Sequence, residues 1–549
     1  MIPFKQLKII NIYFNIVLKM SHANNLFTQY SLQFESVNVN VGHVPISINE
    51  AKFGILNLKA ISAPLSQEEH DFIFMVDRSG SMSDYCSDGR SKMQHIVHTL
   101  KNMISYFKEH VSIKAYITIH AFDDNIYKIV ERCAVDSSNF DEIIAKIDTI
   151  RPRETTNIEK ALMSIKNTAS EIRTLYTQNN IINIFMTDGD ATNGKTNPTE
   201  LATLVDINIT NAFIGFGIQH DSALLNTIAN GPNSEYYFID KLENSGLVYG
   251  EILHGIIYKL LKNVKLTIQN GFIYDFKNNS WIDKINVGEI VSEADKIYHI
   301  ISNTPKECII TVTAESVSDN SEFRMTVINE DEVSQDLTKY IYRQRTLQHL
   351  AIVSDFLKRK HEINVINNFT IFMPSSIDLI LSSNSKPLIT EEKTIRGNLK
   401  KFIEEMKNYM TEHNLNDDKF FKNLCDDIYI VYRTFGTTYA AMYTVARQTS
   451  QGTQRCYTVS QTPDDDTVDL YYSIFPQRCN GNIKRTGFPY STKIQRQTNN
   501  QYYEDEDYIF DDISHVVSNY ADTPYLTPTS TQVMREISCT YDENETNTN

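Results

Sequence analysis

Three oxygen-bearing side chains stand at alternate positions in one short segment, Asp77-Arg78-Ser79-Gly80-Ser81. Asp77, Ser79 and Ser81 offer the hard oxygen ligands that Mg²⁺ and Mn²⁺ prefer in proteins. Gly80 allows the backbone to turn tightly enough for the three side chains to converge. The pattern therefore predicts a site for a divalent cation, and the plainer interpretation is that the two serines only cap a turn.

The elements around this segment explain how it would be positioned. It follows an apolar run at residues 71–76, which predicts a buried strand ending at Asp77. From residue 71 onward, apolar strands alternate with amphipathic helices, an order typical of a mainly parallel sheet covered by helices on both faces. Such sheets bind ligands at the carboxyl ends of their strands, which is where the predicted site lies.

The motif D-x-S-G-S after a hydrophobic strand resembles the metal-ion-dependent adhesion site of von Willebrand factor A (VWA) domains. In that family a threonine from a second loop and an aspartate from a third loop complete the site, and this sequence has Thr156 and Asp188 in the same order. The resemblance covers residues 68–262 and implies a Rossmann-like α/β fold. Glu154 and Thr155 stand where the family commonly has glycines, so Thr155 remains an alternative to Thr156.

Thr156 also has an interpretation from the residues alone. It stands three residues before Glu159 at the start of an apolar-periodic segment, a spacing that predicts a capping box at a helix N terminus. Threonine hydroxyls often cap helices in this way. The same hydroxyl can therefore be assigned either to a helix cap or to the metal.

The ligand types determine what such a site can do. Hydroxyl ligands are neutral, so a bound Mg²⁺ or Mn²⁺ keeps most of its charge and can accept a carboxylate from outside. The resemblance implies the same use, with a Glu or Asp of a partner protein completing the coordination. The expected function is metal-dependent protein binding rather than catalysis. A metal-dependent hydrolase or phosphotransferase is the alternative, although Ser79 stands where a haloacid-dehalogenase-like enzyme needs a second aspartate.

Composition limits the class of partner. The chain has 549 residues and a formal net charge of -16, which argues against nucleic acid and anionic membranes, because both require clustered Lys and Arg. No segment approaches the ~20 consecutive apolar residues of a membrane span. A protein partner is therefore expected.

Cysteine usage and the N terminus indicate the compartment. The seven cysteines are scattered and never spaced C-x-x-C, so they predict neither a disulfide framework nor a zinc ribbon and favour a reducing compartment. The first twenty residues fit a signal peptide poorly because Asn11 and Asn15 interrupt their apolar stretch. Met20 could equally be the true start. We expect a cytoplasmic (intracellular) protein rather than a secreted one.

The chain is too long for a single hydrophobic core. Period-two patterns predict strands in residues 28–67 and a β-sandwich in residues 263–335, and we expect the earlier strands to complete the sandwich across the inserted α/β unit. Helical periodicity predicts a bundle in residues 336–449. Residues 1–27 are an N-terminal extension, and the acidic residues 450–549 are expected to be largely disordered. The layout resembles uncharacterised multi-domain intracellular proteins of the superfamily in protists and large DNA viruses.

Overall fold

A computed structural model of the chain builds the α/β, sandwich and helical regions around three β-sheets among the residues that it describes. The described residues are 26–38, 51–66, 68–85, 89–153, 155–177, 179–217, 220–231, 233–239, 245–329, 336–370, 378–435, 440–455 and 527–537. The predicted N-terminal extension therefore lies almost wholly outside the described residues.

Strands and helices are numbered separately in chain order. The strands β1 to β15 are Phe27–Asn38, Lys52–Ala60, His70–Asp77, Ala115–Phe122, Ile126–Ala134, Asn180–Thr187, Thr210–Phe216, Ser234–Ile239, Lys259–Gln269, Phe272–Asp275, Ser280–Ile282, Lys284–Val291, Asp295–Ser302, Ile309–Ser316 and Glu322–Ile328. The helices α1 to α11 are Lys92–Glu109, Phe140–Ile147, Ile158–Leu175, Pro198–Ala202, Ser222–Ile228, Ser245–Ile257, Thr338–Thr370, Asp378–Glu412, Lys419–Thr434, Ala440–Thr453 and Pro528–Ile537.

The α/β unit is a six-stranded sheet in the order β5-β4-β3-β6-β7-β8. Strand β5 is antiparallel to β4, and the other neighbours are parallel. Successive residues of β3 point to opposite faces of the sheet, so Phe72 and Phe74 pack in one core with helix α1 while Ile73 and Met75 pack in another with helix α3. The predicted Rossmann-like α/β class is confirmed, and it leaves the carboxyl ends of the strands open.

Strands that precede and follow the α/β unit in the sequence form a β-sandwich of two sheets. Its sheets have the orders β1-β2-β13-β10-β11 and β12-β9-β14-β15. Strand β2 precedes the α/β unit and pairs antiparallel with β13, which follows it. The α/β unit is thus inserted between two strands of one sheet.

The sandwich begins earlier than the sequence pattern indicated. Helix α6 ends at Ile257 and strand β9 starts at Lys259, so the expected boundary at residue 262 falls inside a strand. Leu260 and Leu261 are both buried at this junction. A continuous apolar run is compatible with the end of a helix and with the start of a strand. The hydrophobic period of the sequence therefore does not locate the junction between α6 and β9.

Helices α7 to α10 lie where a helical bundle was predicted, but the bundle does not end at residue 449. Helix α10 continues to Thr453, and past residue 449 the Gln451 side chain donates to Asp427 of α9 while its backbone O accepts from Arg343 of α7. Earlier in the helix, Met442 and Val445 share a core with Phe238 of β8. Among the described residues, no helix is both long and apolar enough to cross a membrane.

Part of the expected disordered tail is ordered. Helix α11 lies on helices α6 and α1, and its Val533, Met534 and Ile537 are buried in the core of the α/β unit. A helix this short is not stable alone in water, so it depends on packing these apolar residues against the α/β unit. Residues 456–526 and 538–549 of the predicted tail lie outside the described residues.

Two glycines of helix α6 provide a test of this docking. A Cβ at Gly250 would lie 2.5 Å from Met534 Cα, whereas a Cβ at Gly255 would meet nothing within 4 Å. We expect Gly250→Ala to push α11 off and to speed amide hydrogen exchange at residues 528–537 by about tenfold or more. The matched control Gly255→Ala should leave exchange unchanged and be neutral or stabilising, by up to about 1 kcal/mol. Equal exchange in the two variants would contradict the docking.

Candidate metal centre

Parallel pairing brings two carboxylates to the same edge of the sheet. In the register of β3 and β6, Val76 lies opposite Met186. Asp77 ends β3, and Asp188 directly follows β6. Both side chains are buried, with Asp77 0% and Asp188 2% exposed. Two acidic groups are therefore held together at the carboxyl edge, out of contact with bulk water.

The loop after β3 folds back over these carboxylates. The backbone N–H of Ser79 donates to Asp77 Oδ1 at 2.7 Å, and a single turn of 3₁₀ helix over Gly80–Ser83 returns Ser81 toward the sheet. The Ser79 and Ser81 hydroxyls lie 3.1 Å apart, and Ser81 Oγ donates to Asp188 Oδ1 at 2.7 Å. The predicted convergence of Asp77, Ser79 and Ser81 is thus observed, together with Asp188.

The second loop adds the Thr156 hydroxyl to this group. A Cβ built on Gly189 would lie 3.3 Å from Thr156 Oγ1, 3.6 Å from Ser81 Oγ and 3.9 Å from Ser79 Oγ, so the three hydroxyls surround one point. The Thr155 hydroxyl instead donates to the exposed Asp124 carboxylate. Of the two threonines left open by the sequence, Thr156 faces the site.

The predicted capping box of Thr156 and Glu159 is wrong. Helix α3 is capped by Asn157, whose side chain accepts from Lys160 N at 3.0 Å, while the Glu159 carboxylate accepts from Lys195 N at 3.0 Å. Thr156 is held outside the helix because its backbone N–H donates to Thr192 Oγ1 at 2.9 Å. Capping by its neighbour leaves the Thr156 hydroxyl available to the site.

The donor set fits a hard divalent cation. Among the described residues, no group of three or more His, Cys, Asp or Glu side chains could hold a metal ion. The edge offers three hydroxyls and two carboxylates, all oxygen donors, which suit Mg²⁺ or Mn²⁺ and not a soft metal. Ser79, Ser81 and Thr156 are the residues that would hold the ion, with Asp77 and Asp188 beside them.

Comparison with known proteins decides the family of this domain. The sequence profile of the von Willebrand factor type A domain matches residues 71–249. The chain carries a von Willebrand factor type A domain. Domains of this family bind a divalent metal at a site of this kind. The match ends at Tyr249, inside helix α6, so it assigns the α/β unit to the family and says nothing of the sandwich or the helical region.

The individual proteins to which this chain is similar share little sequence identity with it. Inter-alpha-trypsin inhibitor heavy chain H3 of Rattus norvegicus is 28% identical over 236 residues, which cover 40% of this chain and 24% of that protein. The chain therefore matches about a quarter of that relative's length. Among solved structures, a von Willebrand factor type A protein from Catenulispora acidiphila has a TM-score of 0.43 at 13% identity, covering 62% of this chain and 84% of the other. The ArnB paralog VWA2 from Sulfolobus acidocaldarius has a TM-score of 0.44 at 13% identity, covering 77% and 98%.

Burial dominates the electrostatics of the type A domain's site. Desolvation by burial, with a smaller contribution from the nearby Asp188 carboxylate, raises the pKa of Asp77 to about 7. Hydrogen bonds from the Thr187 hydroxyl and from Ser79 oppose this shift. The site without a cation therefore holds negative charge at a cost, which a bound cation would relieve.

Lys92 is a charged neighbour that the sequence motif did not reveal. It is the first residue of helix α1, and its Nζ lies 2.5 Å from Asp188 Oδ2 and 3.4 Å from Asp84 Oδ2. A cation is unfavourable at a helix N terminus, because the backbone N–H groups there carry partial positive charge. A lysine at the unfavourable end of a helix was therefore the feature of the sequence that could have indicated a contact with another part of the fold.

His220, which interacts electrostatically with Lys92, is not available as a catalytic base. His220 Nδ1 donates to Gly217 O at 2.6 Å, and its Nε2 accepts from the Tyr236 hydroxyl at 2.5 Å. Burial lowers the pKa of His220 to about 4, so the ring is neutral with both nitrogens occupied. A Cβ at Gly215 would lie 2.4 Å from the ring, which explains this glycine at the end of β7.

The two adjacent threonines give a matched test of the ligand assignment. We expect Thr156→Val to weaken Mg²⁺ binding by about tenfold or more, because it removes one oxygen ligand while keeping the side-chain shape. Thr155→Val removes only the bond to Asp124 and should leave the affinity unchanged. Isothermal calorimetry on both variants measures the difference. Equal affinities, or a loss confined to Thr155→Val, would mean that the second loop is wrongly assigned.

Metal binding should also depend on pH. Because the pKa of Asp77 is raised to about 7, the metal-free site carries a proton at lower pH, and the metal must displace it. The Mg²⁺ affinity is expected to rise from about pH 5.5 to 7.5 and then to level off, with proton release visible in buffers of different ionisation enthalpy.

The same linkage predicts the stability of the metal-free domain. A carboxyl whose folded pKa exceeds its unfolded value stabilises the fold below the unfolded pKa of about 4, and that contribution is lost as the pH rises through about 7. Thermal unfolding of the metal-free protein across this range measures the loss. In Asp77→Asn both trends should flatten, and an unchanged pH profile in that variant would assign the titration to another group.

Proposed function

We propose that the chain is a metal-dependent protein-binding module rather than an enzyme. Ser79, Ser81 and Thr156 hold Mg²⁺ or Mn²⁺ at the edge of the type A domain, and a Glu or Asp of a partner protein completes the site. The proposal rests on three neutral hydroxyls that lie within 3.9 Å of the Cβ position built on Gly189, beside two buried carboxylates.

The chain's own residues prepare the site for an outside carboxylate. Neither carboxylate is free to turn toward a ligand, since Asp77 accepts from Ser79 N and from the Thr187 hydroxyl, and Asp188 accepts from Ser81 and Lys92. When bound, the metal would supply an open coordination position that takes an anionic oxygen. Neutral hydroxyls contribute no negative charge, so an acidic side chain is the favoured occupant.

The surface near the site supports a protein as the source of that side chain. Tyr85 is 78% exposed and is held near Lys92 by its backbone bridge to Ser91. Tyr127 is partly exposed, and its ring lies under the Arg78 guanidinium at 4.3 Å. Exposed tyrosines are common anchors of protein interfaces, because they bury a large area with few rotatable bonds.

A comparative pull-down tests this function. Wild type with Mg²⁺ should capture a partner that chelator releases, and Asp77→Asn should fail to capture it. Asp141→Asn, on the exposed start of helix α2, makes the same chemical change away from the site and should bind normally. A complex that survives both chelator and Asp77→Asn would show that the partner binds elsewhere.

The partner's acidic residues then give a second test. Replacing the coordinating Glu or Asp by Gln or Asn should cost about 2 to 5 kcal/mol, which weakens binding by roughly 30-fold or more. Neighbouring acidic residues of the same partner provide the control. Affinity that falls evenly with each removed charge would indicate general electrostatic attraction and no coordination.

A further inference from the structure

Lys92 combines three features that seldom occur together. It opens helix α1, where a cation is disfavoured and where the first turn has no acidic residue. Its side chain is 11% exposed, although lysine is rarely buried unless it is paired. Its close contact is with Asp188, a residue assigned to the metal centre. Local helix chemistry does not explain a lysine here.

The contact joins Lys92 to the metal centre itself. Asp188 accepts from the Ser81 hydroxyl on Oδ1 and from Lys92 Nζ on Oδ2, so one carboxylate links the ammonium to a metal-binding hydroxyl. The second carboxylate near Lys92 is that of Asp84, at 3.4 Å, and it is 56% exposed. Water therefore screens the charge of Asp84 far more than that of the buried Asp188.

The charges of the buried groups around a bound metal would not cancel. A divalent cation is balanced by the carboxylates of Asp77 and Asp188, and the Arg78 guanidinium lies 3.2 Å from the buried carboxylate of Asp123. The ammonium of Lys92 would then face only the carboxylate of Asp84, which is exposed and screened by water. The buried groups of the loaded centre would therefore carry a net positive charge, which attracts an anion.

We infer that Lys92 is a built-in cation of the metal centre, which weakens the binding of divalent metal and strengthens the binding of the partner's carboxylate. The inference rests on the proposed function and deepens it, because it makes Lys92 a determinant of specificity for acidic over neutral ligands. If Lys92 only formed a structural ion pair, its removal would change neither metal binding nor carboxylate binding. Tighter metal binding together with weaker carboxylate binding therefore distinguishes the inferred role from a structural one.

The first measurement uses the metal alone. Lys92→Met and Lys92→Gln remove the charge, and the Gln variant can still donate a hydrogen bond to Asp188. Both should bind Mg²⁺ about tenfold more tightly or better by calorimetry, since a positive charge beside the metal-binding residues is removed. Lys92→Arg should resemble wild type. Lys160→Met is the control, because Lys160 is exposed and donates to the backbone O of Asp124 in the turn between β4 and β5.

The second measurement uses a simple carboxylate. In the Mn²⁺-loaded protein, acetate that displaces metal-bound water lowers the water-proton relaxation rate, and acetamide is its neutral match. Acetate should bind about tenfold more weakly to Lys92→Gln than to wild type, while any acetamide binding stays equal. Lys92→Arg should keep the preference for acetate.

The outcomes distinguish the inference from the function on which it rests. Unchanged or weaker Mg²⁺ binding in folded Lys92→Gln overturns the inference, as does unchanged acetate binding. If both neutral variants fail to fold even with excess Mg²⁺, Lys92 belongs to the fold alone and the inference is again overturned. Wild type that binds neither Mg²⁺ nor Mn²⁺ contradicts the proposed function itself, whereas wild type that binds the metal beside an unchanged Lys92→Gln overturns the inference alone.

Discussion

Two buried carboxylates, side by side at the end of parallel strands, are the constraint on which the rest of this domain depends. The pairing of β3 with β6 puts Asp77 and Asp188 at one edge, where each directly follows a paired residue or strand end. Burying like charges is costly unless hydrogen bonds and opposite charges surround them. The Thr187 and Ser81 hydroxyls, the Ser79 N–H and Lys92 meet that requirement in the chain itself.

The surrounding loops follow from the same constraint. The turn after Asp77 must bring its hydroxyls inward, and the second loop must present Thr156 rather than use it as a helix cap. Thr192 accepts from Thr156 N, and Arg153 N donates to Arg78 O at 2.6 Å, so the second loop is tied to both of the others. Hydrogen bonds between the loops therefore hold the site's hydroxyls in place, which lowers the entropy cost of binding a ligand.

The sequence predicted the parts of this site that are local. Asp77, Ser79 and Ser81 occupy one turn after an apolar strand, and alternation of strands and helices predicts the α/β class directly. Thr156 and Asp188 needed the family resemblance, because their nearness depends on which strands pair. Lys92 was missed since its burial is a tertiary property that helix periodicity does not report.

Hydrophobic periodicity also did not predict helix α11 or the end of helix α10. Helix α11 is short and is stabilised by what it packs on, so its own sequence resembles that of an exposed segment. The end of α10 lies past residue 449 because residues distant in sequence hold it, with Gln451 bonded to Asp427 and to Arg343. Both cases involve long-range contacts that a local pattern cannot encode.

The insertion of the α/β unit between strands of the sandwich has a mechanical consequence. The chain leaves and re-enters the sandwich at one place, where Ser66 N donates to Ile257 O at 2.8 Å and Ala63 N donates to Ser292 Oγ at 2.8 Å. Tension applied at the metal edge is therefore shared by two bonded backbone segments, where a domain on a single tether would load one. Two attachments also resist swivelling, so the metal edge keeps a set direction relative to the sandwich while it bears a load.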